Sequence, residues 1–142
     1  MIKVQFLPQT RQDLQYKTEG SAAIDLRAVG PVVVEPGSVV AVSTGLFIAI
    51  PKGFAALVLP KSGQVFNNGL GVANAPGLID EDYRGEVQVL AENLTALPIV
   101  INEGERFAQL MFIPYVKAEF IEVESLEDTE RGDGRFGSTG VA

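Results

Sequence analysis

Val39-Val40-Ala41-Val42-Ser43-Thr44-Gly45-Leu46-Phe47-Ile48-Ala49-Ile50-Pro51-Lys52-Gly53-Phe54-Ala55-Ala56-Leu57-Val58-Leu59-Pro60 reads as three short apolar runs, Val39–Val42, Leu46–Ile50 and Phe54–Leu59. Gly45, Pro51 and Gly53 cut them apart, and Pro60 closes the last. The same punctuation covers the whole chain, with eight prolines and fifteen glycines interleaved. Proline costs about 3 kcal/mol in a helix interior and glycine about 1 kcal/mol, so long helices have almost nowhere to sit. Further short runs are Ile2–Phe6, Val32–Val34, Glu86–Ala91 and Phe107–Ile113. Glu86-Val87-Gln88-Val89 and Val116-Lys117-Ala118-Glu119-Phe120 alternate with period 2, the pattern of half-buried strands. On that pattern even the long breaker-free window 115–131 reads as strand first. Short strands with frequent turn signals predict an all-β sandwich or barrel, with helix limited to a turn or two.

At 142 residues the chain has the length of one domain, and no internal repeat or linker is visible. With 46% hydrophobic and 20% charged residues it has a folded composition. Eleven Lys plus Arg against eighteen Asp plus Glu give a net charge of −7, the wrong balance for binding nucleic acid. There is no His and no Cys. That removes Ser-His-Asp triads, thiol nucleophiles, disulfides, structural zinc and Cys/His-zinc deaminase chemistry. Acid–base chemistry must then run on carboxylates, Lys, Tyr or a metal-bound water. No apolar run approaches the roughly 20 residues of a membrane span, and Met1–Phe6 lacks the apolar core of a secretory signal. A cytoplasmic protein without a membrane partner is expected.

Composition shifts after Val123. The tail Glu124–Ala142 has four clearly apolar residues, Leu126, Phe136, Val141 and Ala142, and four glycines. It cannot offset its own ordering entropy by burial, which predicts a folded body over 1–124 and a mobile arm over 125–142. A frayed end has no need of Arg131-Gly132-Asp133-Gly134-Arg135-Phe136-Gly137-Ser138-Thr139-Gly140. Its G-x-G-x-x-G pattern is no dinucleotide fold, since only five residues follow Gly137. Closely spaced glycines do let successive N–H groups wrap a phosphate. Arg131 and Arg135 add charge, Ser138 adds a hydroxyl, and Phe136 offers a face to a base. The arm has the composition of a nucleotide lid.

Four other segments carry chemistry. In Asn74-Ala75-Pro76-Gly77-Leu78-Ile79-Asp80-Glu81-Asp82-Tyr83-Arg84-Gly85-Glu86 four carboxylates crowd a turn; like charges this close repel unless a cation or a reacting water uses them, or the loop is simply solvated. Pro60-Lys61-Ser62-Gly63 ends a strand with a cation, a hydroxyl and a glycine, groups that suit phosphate oxygens. Asp25 in Ser21–Leu26 and Gln109 in Glu105–Phe112 stand inside apolar runs. Each is either functional or a buried hydrogen-bonded brace.

In this order and spacing the five segments resemble the five motifs of the trimeric dUTP diphosphatases (dUTPases) of the bacterial and phage type. The likeness runs from about Lys17 to Gly140, and Thr44–Gly53 matches the usual connection between motifs one and two. It implies a jelly-roll-like β barrel with a flexible glycine-rich arm, assembled as a homotrimer whose sites are shared between chains; the apolar composition fits such an assembly. The implied reaction is hydrolysis of dUTP to dUMP and pyrophosphate, with Mg²⁺ held mainly by phosphates and water. By position Asp80 is the implied general base, Gln109 orients the water or α-phosphate, and Arg131 acts like an arginine finger. Lys61, Ser62 and Gly63 hold phosphates. Asn74, Gly77 and Ile79 form the uracil hairpin, and Tyr83 packs under the deoxyribose. Phe136 stacks on the base beside Gly137 and Ser138, and Asp25 meets the metal through water. The chain departs from the family pattern at Lys61 (usually Arg), Arg135 (usually Gly) and Ala23 (usually Gly). Two alternatives share the fold: a dCTP deaminase-related enzyme, and a non-catalytic or dual trimeric regulator that binds a protein partner.

Overall fold

Most strands follow the apolar runs, but Gly45 does not cut the chain as expected: one strand runs from Val39 through it to Leu46. The computed structural model describes residues 1–9 and 12–135; Phe136, Gly137 and Ser138 lie outside them. In chain order the elements are β1 (Gln5–Phe6), β2 (Ala23–Arg27), β3 (Val32–Val34), β4 (Val39–Leu46), β5 (Ile48–Ala49), β6 (Phe54–Pro60), α1 (Ser62–Asn68), β7 (Leu70–Val72), β8 (Gly77–Ile79), β9 (Val87–Asn93), β10 (Ile99–Ile101) and β11 (Arg106–Pro114). The chain is nearly all-β, and the one helix among the described residues has seven residues.

A four-stranded sheet runs β2-β11-β6-β8 and a three-stranded sheet runs β4-β9-β7, with two-stranded pairs β1-β5 and β10-β3. All pairings are antiparallel. Alternation sets the faces: Val42, Thr44 and Leu46 of β4 and Val87, Val89, Ala91 and Asn93 of β9 are buried, while residues between them are not. One core joins the sheets through Leu26, Val34, Leu46, Leu70, Ile101, Phe107 and Leu110. Each such side chain contributes on the order of 1.5–3 kcal/mol by leaving water. The two buried polar side chains among the described residues are satisfied: the Thr44 hydroxyl donates to the Val87 carbonyl, and Asn93 bridges β3 to the turn after β9.

One expectation is corrected. The alternating segment Val116–Phe120 is not a strand: no strand or helix occurs over residues 115–135, and Val116 and Phe120 are almost fully exposed. Alternation only makes a strand possible; a ladder and an apolar face must receive it, and one chain presents neither here. Among the described residues no helix is long and apolar enough to cross a membrane.

Candidate active site

The four-stranded sheet gathers the candidate residues into two clefts. In the first, Gln109 of β11 stands opposite Asp25 of β2 on one side and Leu59 of β6 on the other. β6 ends at Pro60, so Lys61 arrives beside them as the residue that caps α1. Asp25, Lys61 and Gln109 therefore line one cleft of about 530 Å³, together with Lys17, Ser21 and Arg106. Asp25 is clamped from both sides: one carboxylate oxygen accepts from the Lys61 ammonium, the other from the Arg106 guanidinium at 3.1 Å. Burial pushes this carboxyl up, but the Lys61 hydrogen bond and charge, with Arg106 behind them, outweigh it and hold Asp25 below the ordinary carboxylate range. The Gln109 amide donates to the Pro60 carbonyl at 3.0 Å, bracing the strand end that presents Lys61. Ser62 and Gly63 are exposed on the first turn of α1, where N–H groups have no acceptor within the helix.

The second cleft, about 190 Å³, is lined by Leu78, Ile79, Asp80, Tyr83, Glu86, Val87 and Gln88. β8 pairs with β6, setting Gly77 opposite Val58 and Ile79 opposite Ala56. Gly77 is buried, and a Cβ there would press on Asn74 Nδ2 at 3.2 Å and Val58 Cβ at 3.3 Å, so Asn74 lies against the hairpin backbone. The four carboxylates of this loop divide their work. The Tyr115 hydroxyl and, after it, the Gly53 N–H at 2.5 Å hold Glu81 below its ordinary value. Tyr115 is in turn pushed up to about 12 by that carboxylate. Glu86 accepts from the Gly45 N–H at 2.7 Å. Asp82 is exposed. Asp80 alone of the four aspartates and glutamates both faces the cleft and carries no anchoring bond to a backbone N–H.

The two clefts do not meet. Neighbouring strands are about 4.8 Å apart and residues along a strand about 3.3 Å. Gln109 is two strands from β8, and Asp80 lies beyond Ile79, which is level with Ala56 rather than Leu59. The two residues are thus about 16 Å apart on this spacing. Arg131 is exposed, and its guanidinium donates to the Gly134 carbonyl in its own turn at 3.3 Å. No non-glycine residue among those described, Arg135 included, has a positive φ. A cleft of about 730 Å³ between β1 and β5 is lined by one charged residue, Arg84, and by none of the candidate catalytic groups.

Arg106, Glu81, Tyr115, Gly85 and Glu86 were not singled out from sequence. Arg106 stands in the same segment as Gln109, but its pairing with Asp25 depends on the β2–β11 register, which composition does not carry. Among the described residues no group of three acidic side chains converges to hold a metal ion. Both Asp25 oxygens face cations, which leaves neither free to ligate a metal ion directly.

The dUTPase family model matches residues 9–140. A deoxyuridine 5'-triphosphate nucleotidohydrolase of Bdellovibrio bacteriovorus is 45% identical, covering 99% of this chain and 97% of that one. Its counterpart in Hydrogenobaculum sp. is 45% identical over 89% of this chain and 88% of the relative. Among solved structures, a mutant of the Staphylococcus bacteriophage 80alpha dUTPase with dUpNHpp aligns with a TM-score of 0.90 at 24% identity, covering 99% of this chain and 100% of that one. A mutant dUTPase from phage phi11 of S. aureus, described with a structural Mg(II) ion, aligns with a TM-score of 0.81 at 21% identity over 89% of this chain and all of the other. The structural likeness carries the fold, the sequence identity carries the kinship, and together they make this chain a member of the dUTPase family, the dUTP diphosphatases.

Proposed function

We propose that the chain hydrolyses dUTP to dUMP and pyrophosphate by attack of a water on the α-phosphorus, with Asp80 as general base. The observation that carries this is the division among the loop carboxylates: Glu81 and Glu86 are held by backbone N–H groups, leaving Asp80 facing the cleft with Tyr83 and Ile79. A positioned base contributes typically ~10²–10⁴-fold. Tyr83 takes the deoxyribose face, and Asn74, Gly77 and Ile79 take the uracil edge; a pocket built to hydrogen-bond one base rejects others because its polar groups are left unpaired. Lys61 and the first-turn N–H groups of Ser62 and Gly63 hold phosphates, and Gln109 orients the water or the α-phosphate. Magnesium neutralises the triphosphate when bound, which a chain of net charge −7 needs.

Gln109, on the water or the α-phosphate, and Asp80, on the water, serve one reacting centre in this reading, yet stand about 16 Å apart in one chain by strand spacing. We infer that the working site joins clefts of different subunits in a homotrimer, with residues 125–142, including Arg131, Phe136, Gly137 and Ser138, closing over it as the arm. Supplying dUMP and lowering dUTP follow from the reaction. The test is pyrophosphate release from each deoxynucleoside triphosphate and from UTP, with magnesium or with chelator. Release from dUTP alone, abolished by chelator, is expected; ammonia release from dCTP, or no release at all, would overturn the reading.

A further inference from the structure

Glu86 has no part in the chemistry proposed above, yet it ties the cleft that Tyr83 lines to β4 behind it. Its backbone carbonyl accepts the Tyr83 hydroxyl at 2.9 Å across the Arg84-Gly85 turn. The tyrosine lies so close over that turn that a Cβ on Gly85 would overlap the hydroxyl and stand 2.6 Å from Cζ. The Glu86 side chain meanwhile reaches β4. One oxygen accepts from the Gly45 N–H at 2.7 Å, and the other faces the Ser43 hydroxyl and the Gln88 amide, each at 3.4 Å.

The β4 partner is specially prepared for this. The β4–β9 ladder shifts register between Ser43 and Leu46, and Gly45 within the shift has φ +66°, which a side chain would strain. The shift takes the Gly45 N–H out of the ladder and offers it to a side chain instead. A carboxylate accepting from a backbone N–H is one of the stronger hydrogen bonds a protein makes. The links run from the β4 bulge to the Glu86 carboxylate, to the Glu86 carbonyl, to the Tyr83 hydroxyl. Each link is a hydrogen bond or a covalent neighbour.

We propose that Glu86 is a positioning residue that sets sugar discrimination: by gripping the Gly45 bulge it fixes the carbonyl that seats the Tyr83 ring against Gly85. The proposal rests on the assignment of Tyr83 to the deoxyribose face. A ring held at one end by its hydroxyl and at its edge by a glycine cannot withdraw to admit a 2′-hydroxyl. Released at the carbonyl, it can.

The experiment compares wild type with Glu86→Ala, Glu86→Asp and Glu86→Gln, the last keeping an acceptor at full reach. Two readouts are taken: the ratio of kcat/KM for dUTP over UTP, and the NMR ring resonances of Tyr83 without nucleotide. Glu86→Ala and Glu86→Asp are expected to shift the Tyr83 resonances and lower the ratio by about tenfold, the scale of a sub-ångström misplacement, while Glu86→Gln stays near wild type. On a Tyr83→Phe background, with no hydroxyl to seat, Glu86→Ala should change the ratio no further. Unmoved Tyr83 resonances in the folded Ala or Asp variant would overturn the proposal, as would an equal drop in ratio on the Phe background. A wild type inactive on dUTP would instead strike the assigned function, and the resonances would still judge the clamp. If Glu86→Ala does not fold, Glu86→Asp carries both readouts, since it keeps the charge and loses only the reach.

Discussion

Asp80 and Asp25 are both single carboxylates in clefts, but their surroundings give them opposite duties. Asp80 faces open space on a loop fixed by its neighbours, so Asp80→Asn should lower kcat by about 10²–10⁴-fold with little change in melting temperature, measured by steady-state kinetics and calorimetry. Asp25 is committed to Lys61 and Arg106. Its folded pKa is depressed, so the stability it contributes is present above the unfolded value and is lost as pH falls through the folded one. The melting-temperature gap between wild type and Asp25→Asn should be full at neutral pH and close below about pH 4. Lys61 has one ammonium to divide between Asp25 and a phosphate, whereas a guanidinium presents a fork. Lys61→Arg is therefore expected to lower KM for dUTP by about threefold; an unchanged kcat and KM would refute this.

Among the elements, β9 was legible because its buried face recurs with period 2, whereas β4 was legible only over Val39–Val42, since it passes through the Gly45 expected to end it. β6 and β11 were legible as apolar runs ending at proline. The short strands β7 and β8 were not, since each carries a glycine that reads as a break, and β10, as apolar as Val32–Val34, went unread. Val116–Phe120 shows the converse error: a clear period with no neighbour to satisfy it. Asn93 could not be read at all. Its amide donates to Val34 and Leu97 carbonyls at 2.8 Å, and its oxygen accepts from the Thr95 N–H and hydroxyl at 2.8 and 2.9 Å. Asn93→Ala strands these partners in a nearly dry site and should cost about 3 kcal/mol, seen as a lowered urea midpoint with unchanged slope.

At the scale of the whole molecule, the proposed division of the site between chains makes a prediction that a self-contained site does not. Asp80→Asn and Gln109→Ala proteins, each nearly inactive alone, should regain turnover when unfolded together and refolded. Random mixing restores both residues in about a quarter of the sites, and no recovery would place the site within one chain. A chain ending at Thr129 should fold, because no strand, helix or core residue lies between 115 and 135. Its turnover should fall by about 10³-fold or more if Arg131 acts as an arginine finger.

Breakers and periodicity settle the all-β class here, the missing His and Cys settle which chemistries are open, and five ordered segments settle the family. These are properties of residue types and spacing, which a linear chain carries in full. Which carboxylate is consumed by Lys61, which by Gly45 or Gly53, and which is left facing a cleft depended on strand register. So did the separation of Gln109 from Asp80. Register is set by how distant strands share one core, and residues 41 apart in sequence, as Gly45 and Glu86 are, become partners only when that core closes.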